Sequence, residues 1–264
     1  MTRHDFAESL RIQGRVLLAL MLREARTRYG RTKAGYLWAL IEPGIHITLF
    51  TLILSSRITI VPIGDSMVLF LATGFATFLG FRNVMSRTGG GYGSNEALLS
   101  FPIVRVMDVF LGRALLELAT WMLVTILLLG GLVLVGVAPI PHDVLKMLEA
   151  ILALFAIGFG AGIVIGIVSE FWPSLHSVMS VPTRLLYFTS GIFFLPDRLP
   201  PAFRDILAWN PVLHGITLFR EGYYRGYESY MLDVGYLYSW AIGCVLVGLV
   251  VEKIARKPLR SLAT

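Results

Sequence analysis

The run "REARTRYGRTKAGYLW" (residues 23–38) crowds Arg23, Arg26, Arg28, Arg31 and Lys33 into its first eleven positions, then turns into aromatic and aliphatic residues. A cation cluster abutting an apolar stretch marks the cytoplasmic edge of a membrane segment, where Lys and Arg accumulate. Composition agrees. Hydrophobic residues make up 56% of the chain and charged residues 15%, and the mean hydropathy is +0.72, well outside the range of soluble domains. The expected class is an all-α polytopic membrane protein.

One crossing needs about 20 apolar residues, and six stretches supply them, near 36–60, 67–81, 114–137, 148–168, 175–195 and 234–251. Helices are the expected form, because lipid leaves an open strand edge unsatisfied and no series of alternating segments of about ten residues is present. The chain thus divides into a cytoplasmic amphipathic segment (1–35), a six-span domain (36–252) and a basic cytoplasmic tail (253–264).

With the N-terminus inside, residues 1–35 hold eight basic groups, 82–107 three and 252–264 four, against five on the opposite side. Both termini are therefore expected in the cytoplasm. These inner-face loops account for the net charge of +6, and no nucleic-acid motif accompanies it. The apolar "VLLALML" (16–22) runs into arginines and not into a small-residue cleavage site, so no removal is expected. Cys244 stands alone and no metal-spaced Cys/His cluster occurs, which argues against disulfide, redox and zinc chemistry.

Over 8–26, Arg11, Arg15, Arg23 and Arg26 share one side of a helical wheel and Leu10, Leu17, Leu20 and Met21 another, with Leu18 and Leu22 toward the charged side. The pattern predicts an amphipathic interfacial helix. The cytoplasmic loop 82–107 holds a glycine run followed by "SNEALL", a short helix with Ser94 as cap and Pro102 as stop. GxxxxGK[ST] is absent there and everywhere else, so no ATP site is expected in this chain. In the external segment 196–232, Asn210 and Pro211 interrupt the apolar run 206–219. A re-entrant or interfacial helix pair between spans five and six is expected there. Tyr223, Tyr224, Tyr227 and Tyr230, with Trp209, suit either an aromatic belt at the outer headgroups or a platform for stacking sugars.

Arg113 and Glu117, four residues apart, are expected to pair. Arg184 lies in span five with no acid close in sequence. It either pairs with Glu42, Glu117 or Glu149 from another span or faces a polar conduit for an anionic substrate. Pro43 and Pro182 are expected to kink or unwind their helices.

Four stretches carry a family likeness in chain order: "LREARTRYGRTKAGYLWALIEPGIHI" (22–47), "LSFPIVRVMDVFLGRALLE" (99–117), "SGIFFLPDRLP" (190–200) and "WNPVLHGITLFREGYY" (209–224). Together they resemble the permease subunits of ABC polysaccharide exporters, the capsular branch more than the O-antigen or teichoic-acid branches. The resemblance implies a homodimer enclosing a path in the bacterial inner membrane and a separate cytoplasmic ATPase dimer that binds ATP and Mg. It also implies periplasmic and outer-membrane export partners and a lipid-linked acidic polysaccharide as cargo. No catalytic residue, metal or cofactor is implied in this chain.

On that resemblance Arg23, Arg26, Arg28, Arg31 and Lys33 receive an anionic headgroup through charge-assisted hydrogen bonds, and Tyr36 and Trp38 stack beside them. Glu42 and Arg184 join the substrate path, with Tyr223, Tyr224 and Tyr227 near its exit. Ser94, Asn95, Glu96, Leu98 and Leu99 form the loop that couples to the ATPase. The alternative is a multispan transferase acting on lipid-linked sugars. It would need convergent acids or histidines, whereas His46, His142, His176 and His214 are scattered.

Overall fold

The computed structural model describes residues 3–29, 34–56, 60–95 and 104–262, and all regular structure among them is helical. In chain order come α1 (Arg3–Tyr29), α2 (Ala34–Ser55), α3 (Met67–Gly89), α4 (Val106–Leu134), α5 (Val144–Phe171), the short α6 (Leu175–Val178) and α7 (Ser180–Thr189), α8 (Pro201–Leu207), α9 (Pro211–Tyr223) and α10 (Val234–Leu262). Single 3₁₀ turns lie at Gly93–Asn95 and Pro196–Arg198. Among the described residues, α2, α3, α4, α5 and α10 hold stretches long and apolar enough to cross a membrane.

α3 is the centre of the bundle, buried without interruption over residues 69–81. α4, α5, α2 and α9 pack around it, and α10 packs on α5. Small residues permit the α5–α10 approach: a Cβ on Gly160 would sit 2.3 Å from the Cys244 carbonyl, so the two backbones touch where no side chain intervenes. α2 instead exposes Leu37, Ile41, Ile45, Leu49 and Leu52, an apolar stripe of the kind that meets lipid.

The stretch 175–195 forms two short helices with Met179 between them. Pro182 gives the reason. It offers no N–H to the Val178 carbonyl and its ring crowds that oxygen, yet proline is tolerated in the first turn of a new helix, where it now stands. α7 ends at Ser190, and Gly191 turns the chain with a φ of +78°. Pro43, by contrast, is accommodated inside α2.

α1 extends beyond 8–26 at both ends and packs on α4. Leu17, Leu20 and Met21 are half-buried, and Leu20 Cβ lies 3.3 Å from where a Cβ on Gly112 would stand. Leu18 and Leu22 are 57% and 53% exposed, as their position toward the charged side requires. α3 continues through Gly89, so helix replaces the first part of the loop 82–107. Most of the "SNEALL" helix, from residue 96 on, lies outside the described residues.

Within residues 196–232 the helix pair divides at Asn210–Pro211. Asn210 Oδ1 accepts from the Val212 N–H at 2.9 Å, with Pro211 in the first helical position. α9 is buried from Val212 through Tyr223 and packs on α5 and α3, so it is a core helix and not a surface one. The exposed partner is α8 with the turn after it, where Phe203, Ile206 and Trp209 are 61%, 72% and 76% exposed.

Candidate functional site

Side-chain bonds strap α1 to the ends of α3 and α4. Glu24 Oε1 lies 2.9 Å from Arg113 Nη2, with both side chains mostly buried, and Arg113 also donates to the Gly90 carbonyl. Arg113, expected to pair along its own helix with Glu117, is paired with a carboxylate on α1, because α1 docks across that turn. Arg23 Nη1 donates to Asn95 Oδ1 at 2.8 Å, and Asn95 Nδ2 donates to the Gly91 carbonyl at 2.9 Å. Gln13 donates to one oxygen of Asp108. The other oxygen accepts from the Arg105 N–H at 3.0 Å and so caps α4. Of the expected coupling residues Asn95 is therefore buried in this strap and Ser94 is exposed. Arg26 is exposed as well. The side chains of Arg28, Arg31, Lys33, Tyr36, Glu96, Leu98 and Leu99 lie outside the described residues.

Trp38 and Glu42 meet at a cavity of about 340 Å³ between α2, α3 and α4, which Asn83, Glu117, Thr120 and Trp121 also line. Glu42 Oε1 lies 2.5 Å from Arg82 Nη2, and the same nitrogen donates to Asn83 Oδ1 at 3.2 Å. A Cβ on Gly80 would stand 2.0 Å from the Trp121 ring, so only glycine lets that indole lie flat against α3. Arg184 takes no part. It is exposed on α7, away from the cavity lining, and no ion pair among the described residues includes it.

At the opposite end Arg220 is only 1% exposed. Its guanidinium donates to the carbonyls of Gly191 (2.6 Å), Ile192 (3.1 Å) and Phe70 (3.2 Å) and to Thr73 Oγ1 (3.3 Å). It also lies 4.1 Å from the centroid of the Phe70 ring. Carbonyl dipoles and a ring face, with no carboxylate bonded, hold this buried charge. The sequence signal was an arginine at the end of the apolar run "PVLHGITLF". Beside it Glu221 pairs with Lys146 at 3.3 Å and accepts from the Ser229 N–H at 2.9 Å.

The tyrosines divide. Tyr223 (1% exposed) and Tyr224 (6%) are buried, with the Tyr223 hydroxyl donating to the Pro139 carbonyl at 2.8 Å. Their rings therefore belong to the packed cap and stand on no open platform, a correction that follows from α9 being core. Tyr227 is half-buried and donates to Asp197 Oδ2 at 2.8 Å, while Ser229 Oγ donates to Asp197 Oδ1 at 2.7 Å. Burial first, and the bond to Asp197 second, push the Tyr227 phenol above its ordinary value. His214 accepts from the Asp233 N–H at 3.1 Å through Nδ1, which leaves Nε2 to donate to the Ala208 carbonyl at 2.8 Å. Among the described residues no three His, Cys, Asp or Glu side chains converge as a metal site would require.

Long apolar helices around a buried central one, strapped at one end and capped by a hydrogen-bonded segment at the other, define a polytopic α-helical membrane protein. The chain belongs to the ABC-2 type transporter family, which matches residues 15–224. It is 35% identical over 251 residues to the capsule polysaccharide export inner-membrane protein BexB of Haemophilus influenzae, covering 94% of each chain. It is 34% identical over 226 residues to the capsule polysaccharide export inner-membrane protein CtrC of Neisseria meningitidis serogroup B, covering 83% of each. To the polysialic acid transport protein KpsM of Escherichia coli it is 30% identical over 234 residues, 88% of this chain and 90% of that one.

Proposed function

We propose that this chain is the permease subunit of an ABC exporter that moves a lipid-linked acidic capsular polysaccharide across the bacterial inner membrane. What carries the proposal is similarity over 83–94% of the chain to relatives named for capsule polysaccharide export and polysialic acid transport. Two copies enclose the path, a separate cytoplasmic ATPase dimer binds ATP and Mg, and periplasmic and outer-membrane export proteins receive the polymer. The sixth crossing is made by the broken pair α6–α7, and both termini are cytoplasmic. Residues 196–232 then lie outside, with α9 held in the bundle and α8 at the surface.

The strap supports a coupling role for residues 94–99. Asn95 is bonded to Arg23 of α1, and Gly90 to Arg113 of α4, so a displacement of this turn by an ATPase would reach both helices. The anionic headgroup is received by Arg26, Arg28, Arg31 and Lys33, with Tyr36 and Trp38 beside them; Arg23 joins only by releasing Asn95. Inverted membrane vesicles carrying the chain and its ATPase test the proposal. ATP-dependent uptake of radiolabelled lipid-linked acidic polysaccharide is expected, and an absence of uptake while ATP is hydrolysed would overturn it.

A further inference from the structure

Another recess, of about 620 Å³, lies between α5, α7 and α10, lined by Gly160 and Ala161 of α5, Gly243 and Val247 of α10, and Pro182 and Leu186 of α7. α7 stands off from the other two helices. None of its residues is buried, and ring contacts of Tyr187 with Phe75 and Phe78, at 6.1 and 5.4 Å between centroids, tie it to α3. No charged residue lines the recess among the described residues. Its hydroxyls already donate to backbone carbonyls: Thr183 to Met179 at 2.7 Å, Ser239 to Gly235 at 2.7 Å and Tyr236 to Trp209 at 2.8 Å. Such a lining suits hydrocarbon and not water or sugar, whose hydrogen bonds it would leave largely unmade.

We infer that this recess binds one hydrocarbon tail of a bilayer phospholipid, inserted between α7 and the α5–α10 pair. The inference rests on the reading of α6–α7 as the sixth crossing and is independent of export. Along α10 the lining residues recur every three or four positions from Tyr236 to Val247, so they form one stripe along the helix. At 1.5 Å per residue that stripe is about 16 Å long, half of a hydrocarbon core of about 30 Å and so the depth of one leaflet. Tyr236 and Trp240 mark its end nearest the α9 cap, with rings 6.2 Å apart, and such rings settle at headgroup level. The recess therefore has the length and the orientation of a single lipid tail running from headgroup to midplane. Gly243 keeps it open, since a Cβ there would meet nothing within 4 Å. An empty apolar recess forfeits dispersion contacts that a tail restores.

The full chain is placed in nanodiscs of phosphatidylethanolamine and phosphatidylglycerol doped with a phosphatidylcholine that carries a mid-chain diazirine. After irradiation, lipid adducts are located by peptide mass spectrometry. Adducts are expected on Val164 and Leu186 of the recess and, as a reference, on the exposed Leu49 and Leu52 of α2. Adducts on Leu185, 62% exposed on α7 and outside the recess lining, report separately that α7 stands in the bilayer. Gly243→Leu fills the open space with a side chain, so recess adducts are expected to fall about tenfold while those on α2 and Leu185 persist. A second route acts after folding: Gly243→Cys in a Cys244→Ala background is purified and then alkylated with hexyl methanethiosulfonate. Recess adducts are expected to vanish on alkylation and to return on reduction. No recess adducts in the parent, or undiminished ones in Gly243→Leu or in the alkylated protein, would overturn the inference. So would a disulfide-linked dimer of the unalkylated Gly243→Cys protein, which gives the recess to a second copy, or loss of the parent's recess adducts on adding lipid-linked acidic polysaccharide, which gives it to the cargo. Vesicle uptake of that polymer is scored separately, and its failure leaves the lipid site standing.

Discussion

Arg220 and Gly191, 29 residues apart, are joined by a 2.6 Å hydrogen bond from the guanidinium to the backbone carbonyl. Gly191 is the residue whose positive φ ends α7, and Arg220 stands in α9, so one side chain holds the exit from the broken helix against the capping segment. Through Phe70 and Thr73 the same guanidinium reaches α3. Arg220→Met keeps much of the volume but leaves the carbonyls of Gly191 and Ile192 without their guanidinium donor and leaves that of Phe70 only Thr73 as a side-chain donor. Hydrogen bonds to a charged group contribute about 1.5–3 kcal/mol each, though not additively, so a loss on the order of 3 kcal/mol is expected. Arg220→Lys should fall between, since an ammonium cannot reproduce the planar fork. Thermal unfolding of the detergent-solubilised variants checks the ranking, and a Met variant as stable as the parent would refute the clamp.

Docking of α1 on α4 makes a geometric prediction. A Cβ at residue 112 would stand 3.3 Å from the Cβ of Leu20, close to the spacing of about 3.5–4.5 Å that a disulfide needs. In a Cys244→Ser background, Leu20→Cys with Gly112→Cys should cross-link under mild oxidation. Leu18→Cys with Gly112→Cys should not, because Leu18 faces away. Gel mobility of a protein carrying a protease site between α1 and α4 reads the outcome, and equal cross-linking of the two pairs would show that α1 is not seated as described.

Sidedness is checked with single cysteines at exposed positions. Glu228 and Ser94 are both exposed, whereas Asp197 is occupied by Tyr227 and Ser229 and is the poorer probe. Glu228→Cys should react with an impermeant maleimide added to whole spheroplasts, and Ser94→Cys only after the membrane is opened. The reverse pattern would invert the topology.

Much of the bundle was legible in the sequence because α2, α3, α4, α5 and α10 are long apolar runs, whose meaning depends on length alone. The two faces of α1 were legible through helical periodicity, and the α8–α9 division through Asn210 and Pro211. What was not legible depends on distant partners. Glu24 and Arg113 are 89 residues apart, so no local spacing pointed to their pairing. α9 contains His214, Thr217, Arg220 and Glu221, polar enough to suggest a surface, yet each finds its bond in the fold. The Trp121 indole enters the cavity wall only because α3 offers Gly80 opposite it. Trp38 and Glu42 were expected on the substrate path, and the cavity they share with Glu117 and Trp121 was not foreseen.

The last prediction concerns the cations of residues 23–33. If they serve only to keep this end of the chain in the cytoplasm, any cations of equal number suffice, and exchange of Arg for Lys is silent. If they hold an anionic headgroup, geometry matters, because guanidinium makes two parallel hydrogen bonds where ammonium offers a compact point charge. Each such contact contributes about 1.5–3 kcal/mol, roughly tenfold or more in apparent affinity. Arg23 supplies an internal contrast, since its side chain is engaged with Asn95 at 2.8 Å. Arg23→Lys is expected to loosen the strap and lower the melting temperature. Arg26→Lys, Arg28→Lys and Arg31→Lys are expected to leave protein level, melting temperature and topology unchanged while reducing polymer uptake and substrate-stimulated ATP hydrolysis. Both activities are measured in inverted vesicles with the partner ATPase. Parental rates in all three Lys variants would reduce the cluster to a topology signal, whereas a loss confined to Arg28→Lys and Arg31→Lys would place the headgroup at the junction of α1 and α2.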